Sequence, residues 1–325
     1  MDAKQHVMDA FEIMGDGSGV VLTGDEISKR IKDDALAWVH LDANHALSRT
    51  WLSEEVSYLD SIIIDALLAE ETRPRIVEFE QGVLLILRGV NLNENATPED
   101  MISVRVWIDQ HRIITIERRP LKAVQDIRER LKAGKGPRNS GDFLTMLSAR
   151  LFERMEPVFS ELDERLDDVE ERVMDEPDTK DRPTITSIRK QAIVFRRYIA
   201  PQRDVMAFLR TSEQPWLDQM HKRRLQESLD RIVRYLEDLD AIRERAQIVK
   251  DELSNALADK MNKNMYVLSV IAAIFLPLGF LTGMLGINIG GIPGADNPWA
   301  FYIFAGILIA LVGLQTLVFK KLKWF

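Results

Sequence analysis

The spacing of apolar residues changes twice along the chain and divides it into three parts: 1–137, 138–264 and 265–325. In the first part, short alternating runs are separated by turn residues. Residues 20–23 and 37–41 predict strands, and 25–32 and 47–59 predict helices. Residues 75–92 and 101–118 predict two β-hairpins, followed by a helix to Ala133. In the second part the period becomes three to four. Leu144, Leu147, Leu151, Met155, Phe159, Leu162, Leu166 and Val169 predict one helix over 141–174, a second covers 184–210, and a third starts near Pro215. That third stretch carries Leu225, Leu229, Ile232, Leu236, Leu239, Ile242, Ala246, Val249, Leu253, Leu257, Met261 and Met265, close to a heptad, with no Pro or Gly between Trp216 and Pro277. It predicts one continuous helix of about seventy residues, roughly 100 Å long at 1.5 Å per residue. In the third part the polar positions vanish. Residues 265–288 and 299–319 hold no charged side chain, and each run is about twenty residues, the length a helix needs to cross a bilayer. The expected architecture is an α+β cytoplasmic domain, a long helical stalk and two C-terminal transmembrane helices, spanning about 265–287 and 299–319.

Charge sets the orientation. Lys260 and Lys263 precede the first span, and Lys320, Lys321 and Lys323 follow the second, while the connecting loop 289–298 contains only Asp296. The excess of Lys on one side places both termini and the whole soluble part in the cytoplasm, with the loop outside. The first seventeen residues lack the basic-then-apolar pattern of a secretory signal, so the hairpin itself is expected to drive insertion. The net charge of −8 argues against nucleic acid as a partner, and the absence of cysteine removes disulfides and thiolate metal sites. No phosphate loop, nucleophile elbow or zinc-type His pair is present, so neither an enzyme nor a bound cofactor is expected.

A seventy-residue helix cannot bury its stripe against one small domain, which predicts association with parallel copies. One chain with two spans cannot enclose an aqueous path, whereas a ring of first spans can. The apolar stripe enters the membrane as Met265, Leu268, Ala272, Leu276, Gly279 and Gly283. Small and flexible residues of this kind suit a narrow axial pore, and they equally suit plain helix packing.

The first span ends Gly286-Ile287-Asn288, followed by Ile289-Gly290-Gly291-Ile292-Pro293-Gly294, with Phe275-Leu276-Pro277-Leu278 upstream. This resembles the CorA superfamily of divalent-metal transporters, which carries Gly-Met-Asn at this place. The Gly-Ile-Asn form and the run Leu68-Ala69-Glu70-Glu71-Thr72-Arg73-Pro74-Arg75 look like its zinc-transporting ZntB branch. The resemblance implies a homopentamer in the bacterial inner membrane, with Asn288 of each copy ringing the outer pore mouth and binding a hydrated divalent cation. A neutral Asn carbonyl accepts hydrogen bonds from metal-bound water without stripping a reluctant ion. Asn288 next to a Gly-rich loop also fits a helix C-cap. Ile287 in place of Met favours zinc over strict magnesium selectivity, and Gly279 stands where magnesium members have a pore Thr; a magnesium, cobalt or nickel channel of the same fold is the alternative. A membrane-tethered scaffold through which nothing crosses is the competing class. Asp296 either collects cations at the mouth or caps the turn before Pro298. Lys320, Lys321 and Lys323 ring the inner mouth by resemblance and anchor the span in either case. The carboxylate-rich stretch 161–181 reads as a cytoplasmic cation site or a solvated helix face. His6, His40, His45, His111 and His221 show no ligand spacing. The resemblance also implies proton coupling, yet no Asp, Glu, His, Lys or Arg occurs between Asn264 and Ala295 to relay a proton.

Overall fold

A computed structural model describes residues 6–70, 72–286, 294 and 297–321. The chain separates into two compact units, Met1–Asp251 and Glu252–Phe325. The first is built on strands β1 (Val7–Ile13), β2 (Gly19–Val21), β3 (Ala37–Asp42), β4 (Arg75–Glu78), β5 (Gly82–Gly89), β6 (Ile102–Asp109) and β7 (Arg112–Glu117). They form one sheet in the order β2-β1-β3-β7-β6-β5-β4, parallel only where β3 meets β7. Alternation sends neighbouring side chains to opposite faces. Val39, Leu41, Ile114 and Ile116 pack on one face against Ile31 of α1 (Asp25–Lys32), Leu52 of α2 (Leu47–Glu55) and Ile63 and Leu67 of α3 (Ser61–Leu68). On the other, Trp38 stacks on Phe11 at 5.6 Å and meets Phe143 of α5 (Ser140–Glu153) at 5.2 Å. A sheet covered on both faces explains why β3, β5 and β6 read as nearly unbroken apolar runs.

The run Leu68-Ala69-Glu70 sits over β6, where it meets arginines. Arg105, fully buried on β6, donates to the Ala69 carbonyl at 2.6 Å; Arg118 donates to Leu68 O at 2.9 Å and Arg88 to Thr72 O at 2.7 Å. Burial and the two neighbouring guanidiniums push Arg105 down to about 10. Arg118 and Arg105 thus meet carbonyl groups left free where α3 ends, the negative end of its dipole.

The expected strands, hairpins and helices are present, with three differences. β1 was not expected, because Asp9 and Glu12 interrupt its apolar pattern; both are paired, with Arg128 at 3.2 Å and Arg30 at 3.0 Å. The helix expected over 47–59 stops at Glu55, and α3 begins afresh where Asp60 accepts from Ile62 N. The single helix expected over 141–174 divides into α5 and α6 (Glu156–Asp175), because Pro157, with no N–H to donate, sits in the first turn of α6. Gln202, just after Pro201 in α7 (Asp181–Thr211), turns its amide oxygen to the backbone N–H of Arg88 on β5 at 3.0 Å, tying α7 to the sheet. Helix α4 (Lys122–Lys132) lies between β7 and α5 in the chain.

Helix α8 runs unbroken over Gln219–Leu285. Within the first unit its residues Leu225, Ile232, Leu239, Ile242, Ala246 and Val249 are buried, and Phe159 of α6 meets Phe195 of α7 and Tyr235 of α8 edge-on at 5.1 and 5.2 Å. The close repeat of three and four therefore holds three helices of one chain together.

The second unit holds the rest of α8 and helix α9 (Ala300–Lys321). Both are long and apolar enough to cross a membrane. Neither is the core of a soluble domain, because the apolar side chains face outward: Phe275, Leu276, Phe280, Phe301 and Ile309 are each at least 66% exposed. A surface of this extent needs lipid or further protein to cover it.

Candidate ion pathway

The first span is a helix because its leucines, isoleucines and small residues allow it, and in hydrocarbon its backbone must bond internally. Its few hydroxyls follow the same rule. Ser269 donates to Met265 O at 2.8 Å, and Thr282 to Leu278 O at 2.9 Å, so neither leaves a polar group unmet. The helix ends at Leu285, where the Gly286 N–H still reaches Thr282 O at 2.8 Å. A Cβ on Gly286 would stand 2.8 Å from that same carbonyl oxygen, so the close ends of the helix require glycine here.

The span has two unlike faces. Val270, Ala273, Ile274, Pro277, Leu278 and Leu281 are buried or half-buried and recur at helical spacing toward α9. Met265, Leu268, Ala272, Leu276, Gly279 and Gly283 are exposed, and a Cβ built on Gly279 or Gly283 meets no atom within 4 Å. The expected pore stripe therefore lies on the side that α9 leaves uncovered. Lys320 and Lys321 are exposed in the last turn of α9, where cations favour the helix dipole. Ile287, Asn288, Asp296 and Lys323 lie outside the described residues. One polar residue of the spans was missed in the sequence. Gln315 of α9 donates to the backbone oxygen of Ala273 at 3.3 Å, and Pro277, four residues beyond Ala273, was the signal that could have revealed it.

Part of the acidic stretch of α6 is committed to protein contacts, while Glu161, Glu164, Asp168, Glu171 and Asp175 are exposed. Arg245 of α8 binds Asp163 at 3.0 Å and Glu170 at 2.6 Å and also pairs with Asp167. Asp167 and Glu170 hold its guanidinium above the usual arginine range. Beside it, a cleft of about 470 Å³ is lined by Glu156, Asp163, Arg231, Arg234 and Asp238. Partial burial, Asp163 and Glu237 raise the Asp238 carboxyl above its usual value. A raised carboxyl is a folded state that holds its proton too tightly, so stability falls as pH rises from the unfolded value near 3.8 through the folded one. Asp238→Asn is accordingly expected to melt slightly above the wild type at pH 7, with the difference gone below pH about 3.8, checked by melting curves at both pH values.

Two of the histidines, His40 and His221, are buried. His40 sits 2.9 Å from the Thr115 hydroxyl, which also accepts from Trp38, and 3.3 Å from the Glu117 carboxylate. His6 and His45, far apart in the pattern of the sequence, come within 5.8 Å. Among the described residues, no group of three or more His, Asp or Glu is placed to hold a metal ion.

Residues 33–321 match the family model described as CorA-like Mg2+ transporter protein. The chain belongs to the CorA family. Among its CorA relatives, the zinc transport protein ZntB of Pectobacterium atrosepticum is 37% identical over 315 residues, 97% of this chain and 95% of the relative. The divalent cation transporter CmaX of Pseudomonas aeruginosa is 37% identical over 318 residues, 94% and 96% of the two chains. The solved full-length CmaX structure matches with a TM-score of 0.87 at 35% identity, covering 100% of both chains. CorA from Methanocaldococcus jannaschii matches with a TM-score of 0.79 at 18% identity over 98% of this chain and 99% of the other, which establishes the shared fold. The CorA fold thus accounts for the α+β unit, the long α8 and the apolar α9 together.

Proposed function

We propose that the protein moves hydrated divalent cations, zinc foremost, across a bacterial inner membrane through an axial pore made by α8 in a homopentamer. The observation that carries this reading is the face of Met265, Leu268, Ala272, Leu276, Gly279 and Gly283, which α9 leaves open on a helix long enough to span. Five such faces turned inward enclose a path that one chain cannot. The division into a cytoplasmic α/β part (1–137), a helical part (138–264) and a membrane hairpin (265–325) supports both termini in the cytoplasm, with Lys260, Lys263, Lys320, Lys321 and Lys323 on that side. Asn288 rings the outer mouth, Gly286 and Ile287 shape it, and Asp296 concentrates cations there. Lys320, Lys321 and Lys323 ring the inner mouth.

The pathway passes the ion with its water. Gly, Ala and Leu supply no ligand that could replace a hydration shell, and a small-residue lining leaves room for one. The names of the ZntB and CmaX relatives, a zinc transporter and a divalent cation transporter, support zinc with a broader range of divalent ions. The magnesium in the family description favours the second reading, a magnesium, cobalt or nickel channel. The test is zinc flux into liposomes carrying the purified protein, with and without an inward proton gradient and with the other three metals as competitors. Zinc influx that outcompetes them supports the proposal. Magnesium passing while zinc does not would move the protein to the second reading, and the absence of any metal flux would leave a tethered scaffold. Flux that rises with the gradient would locate coupling outside the spans, which carry no Asp, Glu, His, Lys or Arg between Asn264 and Ala295.

A further inference from the structure

Helix α8 passes through Pro277 without ending. Proline has no N–H, so the carbonyl of Ala273, four residues earlier, loses its partner in the helix ladder. In water a solvent molecule would take its place. In hydrocarbon none is available, and an unmet carbonyl is costly. The neighbouring helix supplies the donor: Gln315 Nε2 lies 3.3 Å from Ala273 O. Gln315 is the one side-chain amide in α9, and its own Oε1 is buried with no hydrogen-bond partner among the described residues. The contact to Ala273 is therefore what that amide does in the structure. Pro277 and Ala273 belong to the buried face of the span, opposite the Leu276 and Gly279 stripe. A change at this turn consequently moves the two halves of the open face relative to each other.

We infer that Gln315 is a positioning residue for ion passage: it closes the backbone break that Pro277 opens in α8 and pins α9 to that turn, fixing the direction of the outer half of the pore helix. The inference rests on the proposed pore, but the contact itself does not. Interhelical hydrogen bonds from Gln side chains are an available means of joining spans where lipid offers no hydrophobic drive.

Pro277→Ala restores the N–H that Ala273 lacks and makes Gln315 redundant, so a double-mutant cycle isolates the pairing. The four full-length proteins are wild type, Gln315→Leu, Pro277→Ala and the double variant, each measured for thermal unfolding in detergent and for zinc flux in liposomes. Gln315→Leu in the wild-type background is expected to lower the melting temperature. It is also expected to cut maximal flux about threefold or more, the size of a modest coupling between contacting groups. The zinc concentration for half-maximal flux should stay unchanged, because the mouth is untouched. In the Pro277→Ala background the same substitution should change neither melting nor flux. Equal losses in both backgrounds, or no loss in either, would overturn the inference, as would a shift in half-maximal concentration with unchanged maximal rate. If Gln315→Leu fails to fold, recovery of a folded protein in the double variant supports the pairing and its continued failure rejects it. Coupling seen in melting while wild-type protein passes no metal would sink the pore and leave the latch standing.

Discussion

Asn288→Ala is expected to cut zinc flux into liposomes about ten- to a hundredfold while leaving the protein folded. The proposed ring of amide oxygens holds the ion through its water, and a hydrogen bond to a charged species contributes about 1.5–3 kcal/mol. Losing it lowers occupancy of the mouth by roughly those factors. The helix-cap role that the same residue fits gives a clean contrast. Glycine serves a C-cap as well as asparagine does, so Asn288→Gly should lose flux like the alanine variant and melt like the wild type. Full flux in Asn288→Gly would mean that the residue only ends the helix and that the ion is selected elsewhere.

Gly141→Val is expected to destabilise the first unit by about 3 kcal/mol, a drop of roughly 6–12 °C in melting temperature for a domain of this size. A Cβ at this position would stand 2.5 Å from His221 Nδ1 and 2.7 Å from the backbone oxygen of Trp216. Neither neighbour has room to retreat. His221 is buried, accepts from Asp218 N at 3.2 Å and lies 3.4 Å from Asp142, while the Trp216 atom is backbone. The start of α5 cannot retreat either, since Ser140 donates to Asp109 O on the sheet at 2.6 Å. Unchanged melting of the full-length protein would show that this junction yields more than its contacts suggest.

Much of this fold is legible in the alternation of side chains. The hairpins β4–β5 and β6–β7 declare themselves because a strand between two packed layers must carry Val, Ile and Leu almost without interruption. The spans are plain because nothing charged enters them. Local patterns fail where a distant partner decides. Asp9 and Glu12 look like loop residues until Arg128 and Arg30 arrive from other elements. The break between α5 and α6 turns on Pro157, whose place at the start of a helix rather than inside one depends on tertiary packing. For the candidate site, the stripe on α8 follows from period alone, and its open side emerges only when α9 is seen on the opposite face. The acidity of α6 suggested a solvated or cation-collecting surface; most of its carboxylates are exposed, and three of them meet Arg245, about eighty residues away, which the local pattern could not show. Gln315 was invisible as a lone polar residue among apolar ones, because its meaning lies in the missing N–H of a proline on another helix.

The grip of Arg245 on α6 also bears on how the first unit can move. Asp163, Asp167 and Glu170 occupy two successive turns of one helix face, and a single guanidinium holds all of them. Sliding α6 along α8 by one turn, about 5.4 Å, would carry Asp167 and Glu170 toward the places of Asp163 and Asp167 and bring Met174 to that of Glu170, so the set would lose one carboxylate. Tilt and rotation of the two helices as one body keep all three contacts, whereas translation trades them a turn at a time and at a loss.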